Sequence, residues 1–400
     1  MSAAVETADG IRQDERRAMG VACGAHALHD GYTDLIYVML PIWQAEFALS
    51  YAAIGALRAV FAGTMAGFQI PAGLLSERFG TPLVLAVGTA LAGLGYCLAP
   101  LVDSYVALVA ILFVAGLGAS TQHPLASALV ARAYAGTRSL AALGTYNFAG
   151  DLGKMALPAG AALLVIVLPW RVSLAILGSI GLAAAIAILL VTPRFAAEAK
   201  RAKAELDAAA ASAGAGGFPV LLSIGMIDSA TRMGFLTFLP FLLTAKGASL
   251  PTVGLALTLV FVGGAAGKLV CAWIGARIGV VATVWLTEGC TALGILALLP
   301  LPLEFGLVLL PVIGVALNGT SSVLYGSVPL LVRPENRTRA FSVFYTGTIG
   351  SGALAPIFYG FAGDALGVPL TLALVAGLVL MTLPLVLLIR GALASAAARA

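Results

Sequence analysis

Charged residues are scarce in this sequence, and their scarcity excludes most classes of protein. Aspartate, glutamate, lysine and arginine make up 10% of the 400 residues, whereas soluble globular chains carry roughly 25%. Because 60% of the residues are hydrophobic, the polar residues are too few to cover a surface that faces water. We therefore expect an integral membrane protein, and we exclude a soluble enzyme, a nucleic-acid binder and a disordered protein.

Cysteines and catalytic motifs are scarce as well. The four cysteines stand singly in apolar stretches, without the spacing of a zinc site or a disulfide framework. Residues 1–18 lack the short apolar core of a secretory signal peptide. The sequence also lacks phosphate-binding loops and nucleophile elbows. We therefore expect neither an enzyme nor an ATP-driven pump, and we expect no cofactor.

Twelve apolar stretches are long enough to cross a bilayer, which takes a helix of about 20 residues. Most are separated by only a few residues with turn-forming side chains, which predicts antiparallel neighbours. They indicate an all-α membrane protein with twelve transmembrane helices. The predicted spans are 19–44, 52–74, 81–100, 104–130, 139–166, 170–192, 218–244, 251–274, 280–300, 303–329, 340–362 and 366–390.

One long connection divides these spans into two six-helix halves. It begins as a charged, alanine-rich piece and ends in glycines, which is typical of a linker. The predicted organisation is an N-terminal cytoplasmic tail (1–18), a first half (19–192), a cytoplasmic linker (193–217), a second half (218–390) and a cytoplasmic tail (391–400).

The distribution of basic residues predicts the orientation in the membrane. With the N-terminus in the cytoplasm, the inner side carries sixteen of the 22 lysines and arginines, and the outer side carries only Arg171 and Lys246. Cytoplasmic loops are enriched in these residues. We therefore predict a multi-pass protein of a bacterial-type inner membrane, with both termini in the cytoplasm.

The second half repeats the first at an offset of about 200 residues. Gly80 corresponds to Gly279, and Arg132 corresponds to Arg333. Because each half has an even number of spans, the halves are predicted to be parallel, pseudo-symmetric repeats related by an axis along the membrane normal. Transporters with this symmetry bind their substrate between the repeats, near the bilayer midplane.

Residues 19–390 resemble the major facilitator superfamily. The resemblance rests on the two six-helix halves, the central loop and the motif Gly73-x-x-x-Glu77-Arg78-x-Gly80 between spans 2 and 3. The family usually has aspartate where this chain has Glu77. The resemblance implies a secondary transporter that alternates between inward-open and outward-open states, with Gly73, Glu77, Arg78 and Gly80 as gating residues.

Within that superfamily, spans 1, 4 and 5 are similar to the fosmidomycin-resistance type of drug exporter. The similarity is carried by the motifs Ala25-His26-x-x-His29-Asp30, Gly116-x-Gly118-x-Ser120-x-x-His123-Pro124 and Gly150-Asp151-x-Gly153…Pro158. It implies efflux of a small organic compound, and hence drug resistance. The chain departs from that pattern by placing charges where the pattern has uncharged residues, at Asp34, Arg58, Asp151 and Lys154.

Ionisable residues are concentrated in span 1, where they share one stripe of the helix. An ionisable side chain at the bilayer centre costs about 2.5–3.5 kcal/mol, so each is a functional candidate. Histidine beside a carboxylate titrates near physiological pH, as proton coupling requires. We therefore predict protons as the coupling ion, in an antiporter. The predicted proton-coupling residues are His26, His29, Asp30, Asp34 and, in span 5, Asp151.

The sequence leaves two other interpretations of the histidines open. In one, His26 and His123 only hydrogen-bond neighbouring helices and fix their packing. In the other, His26, His29, Asp30 and His123 bind a transition metal. The alternative function is therefore a divalent metal cation transporter.

The four additional charges also have two interpretations. In the first, they form two ion pairs, Asp34 with Arg58 and Asp151 with Lys154, because an unpaired charge in low dielectric is costly. Alternatively, Arg58 or Lys154 binds an anionic group of the substrate while Asp34 or Asp151 cycles a proton.

Polar residues of both halves are expected to bind the substrate. In the second half, Asp228 and Arg232 stand one helical turn apart, and Lys268 and Glu288 are expected to form a structural pair. The predicted substrate-binding residues are His123, Arg58, Asn147, Lys154, Asp228, Arg232, Asn318, Ser321 and Tyr325. The expected partners are the lipid bilayer and a small-molecule or ion substrate, with anionic and zwitterionic compounds as candidates. No nucleic acid is expected, and the chain is predicted to be a monomer.

Overall fold

The computed structural model describes residues 2–134, 137–193, 217–332 and 337–397. Most of the predicted linker, 194–216, therefore lies outside the described residues. The helices of the first half are α1 (Ser2–Phe47), α2 (Tyr51–Gly67), α3 (Gln69–Phe79), α4 (Thr81–Leu98), α5 (Tyr105–Ala119), α6 (Gln122–Ala133), α7 (Thr137–Val167) and α8 (Trp170–Val191).

The second half follows the same plan. Its helices are α9 (Phe218–Ala245), α10 (Leu250–Leu298), α11 (Leu303–Ser327), α12 (Arg337–Leu366), α13 (Val368–Leu380), α14 (Thr382–Leu388) and α15 (Arg390–Ala397). Each predicted span coincides with one helix, with consecutive helices, or with part of the long helix α10. The predicted all-α fold with twelve spans is therefore confirmed.

The membrane-spanning character differs between helices. Within the described residues, eight helical segments are long and apolar enough to cross a membrane, and α2 with α3, which bend by 44°, make a ninth. The helices of predicted spans 1, 7 and 11 are not among them. For α1 and α9 the reason is the ionisable residues that they carry, which lower the mean hydropathy.

The first helix begins earlier than the predicted span. Residues 2–18, predicted as a separate tail, continue α1 without a break. This stretch contains no proline and is rich in alanine, glutamate and arginine, which favour helix. The predicted boundary at residue 19 thus marks a change of polarity and not the beginning of the helix.

Two predicted loops are narrower than the sequence indicated. The predicted spans 52–74 and 81–100 are separated by a short connection, yet α3 continues to Phe79, and only Gly80 departs from the helix with φ 86°. In the same way, only Gly279 (φ 81°) is non-helical within α10. Glycine adopts positive φ without a steric penalty from Cβ. The gating motif therefore lies mainly on the last turns of α3 and not in a loop.

Span 4 is divided into α5 and α6 at Ser120 and Thr121. Pro124 has no N–H with which to bond the Ser120 carbonyl. The Thr121 N–H bonds the Gly118 carbonyl, three residues earlier, at 3.3 Å. The break places His123 at the beginning of α6.

Contacts divide the chain into two compact units. Unit 1 comprises Met1–Met39 and Val60–Glu198, and unit 2 comprises Leu40–Ala59 and Ala199–Ala400. The end of α1 and the beginning of α2 thus pack with the second half. Within unit 2, the Asp364 carboxylate accepts hydrogen bonds from the N–H groups of Tyr51 (2.6 Å) and Ala52 (3.0 Å), at the beginning of α2.

Candidate functional site

Helices α1 and α7 approach so closely that no side chain fits between them at three glycines. A Cβ on Gly153 would overlap the carbonyl group of Ala27, and one on Gly31 would lie 2.9 Å from the Gly153 carbonyl oxygen. A Cβ on Gly150 would lie 2.6 Å from Oδ2 of Asp30. The polar stripe of α1 is therefore held directly against α7.

Asp30 lies at the centre of the polar groups that this packing brings together. Its Oδ2 is 3.2 Å from Nζ of Lys154 and 3.4 Å from Nε2 of His26. Its Oδ1 is 3.9 Å from Nε2 of both His29 and His123. These five residues, which we call the Asp30 cluster, come from α1, α6 and α7. One carboxylate is thus surrounded by four groups that are basic or become basic on protonation.

The Asp30 cluster is buried on one side and accessible on the other. The residues contributed by α1 are almost fully buried, with His26 4% exposed and Asp30 6% exposed. The side chains of His123 and Lys154 are 41% and 31% exposed. The accessible edge of the cluster is therefore the one that His123 and Lys154 form.

The imidazole of His26 is fixed in orientation. Its Nδ1 lies 2.9 Å from the carbonyl oxygen of Tyr146, and its ring stacks on the Tyr146 ring at 4.0 Å. Because a carbonyl only accepts hydrogen bonds, Nδ1 carries a hydrogen. In the neutral ring, Nε2 then faces Asp30 without a proton. Protonation of His26 therefore places a new N–H and a positive charge toward the Asp30 carboxylate.

Lys154 contacts Asp30 in addition to its predicted partner Asp151. The sequence paired it with Asp151, and Nζ does lie 3.9 Å from Oδ1 of Asp151. The contact with Asp30, on another helix, is shorter at 3.2 Å. Asp34, which is 6% exposed, also interacts electrostatically with Lys154. Asn147 lies one turn before Asp151 on α7 and is exposed.

Three members of the cluster have donor atoms close enough for a metal ion. One ligand atom from each of His26, Asp30 and His123 lies within 4.8 Å of the others. The ammonium group of Lys154, however, is already in contact with Asp30, and a divalent cation bound there would be repelled by it. The donor set therefore fits an internal ion pair better than a metal cargo.

A second group of buried polar side chains lies in unit 2. Asp228 is 3% exposed and Glu288 is 1% exposed, and their carboxyl groups hydrogen-bond one another. Nη1 of Arg232 donates to Oγ of Ser321 at 3.4 Å. The sequence placed Glu288 with Lys268, whereas the structure places it beside Asp228 and Arg232.

The other predicted substrate-binding residues of unit 2 make local contacts. Nδ2 of Asn318 donates to the Gly314 carbonyl at 3.3 Å. Tyr325 packs against aromatic rings, with centroid distances of 4.7 Å to Phe341 and 4.8 Å to Tyr345. Arg58 is 2% exposed, and its Nη2 lies 3.8 Å from Sδ of Met233. Arg58 therefore belongs to the packing of unit 2.

The predicted gating residues lie at the end of α3. Glu77 and Arg78 are exposed, and the Arg78 guanidinium lies over the Phe79 ring at 5.2 Å. The Gly73 carbonyl accepts a hydrogen bond from Oγ of Ser76 at 2.7 Å.

Tyr146 is a site residue that the sequence analysis missed. It is 3% exposed, its ring and carbonyl orient His26, and its hydroxyl has no hydrogen-bond partner among the described residues. Its sequence surroundings do not distinguish it from a core tyrosine. Only the position one turn before Gly150, which contacts Asp30, links it to the cluster.

Comparison with known proteins gives a consistent result along the chain. A family model described as Major Facilitator Superfamily matches residues 22–225 and again residues 221–399. The fosmidomycin resistance protein of Escherichia coli (strain K12) is 28% identical over 147 residues, which make up 37% of this chain and 36% of that protein. The aligned part thus spans about a third of that relative's length.

Solved structures share the fold over nearly the whole chain. A bacterial homologue of the human lysosomal transporter Spinster, inward-facing and unoccupied, has a TM-score of 0.79 at 15% identity, covering 96% of this chain and 98% of that chain. The nucleoside transporter NupG has a TM-score of 0.77 at 14% identity, covering 94% and 99% of the two chains. At these identities the likeness shows the fold alone.

Proposed function

Because the chain belongs to the major facilitator superfamily, and is therefore a transporter and not an enzyme, we propose that it exports a small organic compound in exchange for protons. The resemblance to this family, predicted from the sequence, is confirmed. The proposed coupling ion, direction and substrate rest on the Asp30 cluster and on the partial match to a resistance protein.

The observation that carries the proposal is the set of four contacts to one buried carboxylate. Asp30 is 6% exposed and has Lys154 at 3.2 Å, with three imidazoles within 4 Å. A proton that reaches Asp30 removes the negative charge nearest to Lys154. The cluster therefore has two states, one with the Asp30–Lys154 ion pair formed and one with this pair broken.

The charge of the substrate determines whether it moves with protons or against them. An acidic group bound to Lys154 takes away the counterion of Asp30, which favours proton uptake, so that such a substrate and the proton bind together. A basic group bound to Asp30 competes with the proton. Export driven by an inward proton gradient needs this competition. When the site holds either the proton or the substrate but never both, the protonated protein carries the proton inward and the substrate-bound protein carries the substrate outward.

We therefore assign a zwitterionic substrate. Its basic group contacts Asp30 in place of the proton, and its acidic group contacts Lys154. Nζ of Lys154 lies at the accessible edge of the cluster, 3.2 Å from the buried Asp30 carboxylate. A purely anionic substrate would bind Lys154 alone and would be carried together with the proton. A divalent metal cation fits this site less well, because Lys154 already supplies the positive charge beside Asp30.

The transport cycle is the alternating exposure of one site to the two sides of the membrane. In our proposal the chain is a monomer in the inner membrane, with both termini in the cytoplasm. The motif that includes Glu77 and Arg78 contributes to the cytoplasmic gate.

A ligand screen by thermal unfolding tests this proposal. The purified protein is heated with fosmidomycin, which the name of the relative suggests, and with panels of zwitterions, organic anions and divalent metal salts. A compound that binds the folded state raises the unfolding temperature by mass action. We expect zwitterions to stabilise the wild type less as the pH is lowered, because a proton on Asp30 takes the place of the substrate's basic group.

The variant Asp30→Asn distinguishes the cluster from other proton-binding groups. It cannot exchange a proton at this position, so the pH dependence of ligand stabilisation is expected to disappear. Stabilisation by anions that increases at low pH would contradict the zwitterion assignment. A pH dependence that is unchanged in Asp30→Asn would contradict the role of the cluster.

A further inference from the structure

Asp228 and Glu288 form a buried pair of carboxyl groups in unit 2 that the proton exchange described above does not use. Asp228 lies on α9 and Glu288 on α10, and both are at least nine-tenths buried, at 3% and 1% exposed. Their carboxyl groups are in hydrogen-bond contact. The two acids thus meet across a helix interface in a part of the fold that excludes solvent.

A hydrogen bond between two carboxyl groups needs a proton. An ionised carboxylate only accepts hydrogen bonds, and two adjacent carboxylates repel one another. One of the two groups therefore carries a hydrogen that it donates to the other. Because they interact so closely, the two acids bind and release this proton as a pair.

Arg232 balances the charge of the pair. It follows Asp228 by one helical turn and interacts electrostatically with both carboxyl groups. With one shared proton, the acids carry one negative charge and Arg232 one positive charge. Loss of the proton would leave a net negative charge in a buried site, which is costly. The set is therefore neutral when it holds one proton.

The pair also has an unused acceptor. Oε1 of Glu288 is buried without a hydrogen-bond partner among the described residues. A buried acceptor without a donor is a cost that a purely structural pair would be expected to avoid. It is consistent with a group that changes partners during a cycle.

We propose that Asp228 and Glu288 together hold one transported proton, so that unit 2 contains a second proton-binding site in addition to the Asp30 cluster of unit 1. Transport of this proton rests on the proposed function, whereas the shared proton does not. Two sites, one in each unit, predict that more than one proton is exchanged in each cycle.

Infrared spectroscopy of the purified full-length protein tests the shared proton directly. A protonated carboxyl group has a C=O stretching band that is separate from that of carboxylate and that shifts in deuterated water. We expect this band at neutral pH in the wild type. Glu288→Gln and Asp228→Asn should each abolish it, because the remaining acid is then ionised by Arg232. The control Asp30→Asn should keep it, because Asp30 is paired with Lys154.

Two variants guard against a loss of folding. Glu288→Gln retains an N–H that can donate to Asp228, so this variant is expected to keep its unfolding temperature even if Asp228→Asn does not fold. A wild type without the band, or a band that persists in Glu288→Gln, would overturn the proposal.

The number of protons exchanged per ligand molecule tests whether the shared proton is transported. In proteoliposomes that carry the ligand found in the thermal screen, Glu288→Gln should exchange one proton fewer than the wild type. An unchanged proton number would show that the shared proton is not transported. Transport that ignores the pH gradient in the wild type would refute the proposed function but not the shared proton. Proton-coupled transport without the infrared band would refute only the inference about unit 2.

Discussion

The contact between Lys154 and Asp30 is expected to stabilise the fold measurably. At 3.2 Å, two unit charges attract by about 5 kcal/mol at an effective dielectric constant of about 20. Desolvation of both groups offsets much of this attraction, and solvent screens it further because the Lys154 side chain is 31% exposed. We therefore expect a coupling free energy of about 1–3 kcal/mol between the two residues.

A double-mutant cycle with Lys154→Met and Asp30→Asn measures this coupling. The free energy of unfolding is determined by denaturant titration of the purified protein in detergent micelles. The matched control is the pair Arg171–Asp103, which has a similar distance of 3.0 Å but an Asp103 side chain that is 90% exposed. That pair should couple by less than about 1 kcal/mol. Equal coupling in the two cycles, or none for Lys154 and Asp30, would refute the reasoning.

Three other substitutions test the packing of the helices, each by the shift of the unfolding temperature. Gly153→Leu should prevent the close contact of α1 and α7 and cost at least about 1–3 kcal/mol of stability. The control Gly160→Leu lies on the same helix, where a Cβ meets no described atom within 4 Å, and should be tolerated. Equal shifts of the unfolding temperature would contradict the packing. Gly279→Ala should cost about 1–2 kcal/mol of stability because φ is 81°. The control Gly275→Ala, whose Cβ would lie 3.6 Å from its nearest neighbour, should cost less. A larger loss of stability in Gly275→Ala would be inconsistent with the kink at Gly279. Asp364→Ala should cost about 1 kcal/mol of stability, because two N–H groups at the beginning of α2 lose their hydrogen-bond acceptor. An unchanged unfolding temperature would show that solvent replaces the carboxylate.

The number and order of the helices could be predicted because hydropathy acts on whole segments. About 20 consecutive apolar residues have few alternatives to a membrane helix, and the linker marks the midpoint whatever the packing. The exact breaks were less predictable. Segments that contain Ser76 or Gly275 have turn-forming residues, yet in a helix flanked by packed neighbours only Gly80 and Gly279 depart from helical geometry.

The composition of the Asp30 cluster was predictable from α1 but its pairing was not. Residues one turn apart share a helix face, so His26 and Asp30 were expected together. The sequence gives no rotation of α7 about its axis, so the contact of Lys154 with Asp30 could not be distinguished from a contact with Asp151. The small residues Gly150 and Gly153 were a signal for close approach, but not for which residue of α1 they face.

The pairing of Asp228 with Glu288 illustrates the same difficulty. Depth along the membrane normal can be counted from the sequence, and it placed Glu288 near Lys268. Which face of α10 meets α9 depends on packing around Gly279, where the helix changes direction. Residues that share a depth therefore do not have to share an interface.

Proton-driven efflux from proteoliposomes tests the central claim most directly. Vesicles that contain the ligand identified by thermal unfolding are given a pH gradient, and efflux is compared between the wild type and Asp30→Asn. We expect the gradient to accelerate efflux strongly through the wild type and much less through the variant. Efflux through the wild type that ignores the gradient, or an Asp30→Asn variant that responds to it as the wild type does, would contradict the account.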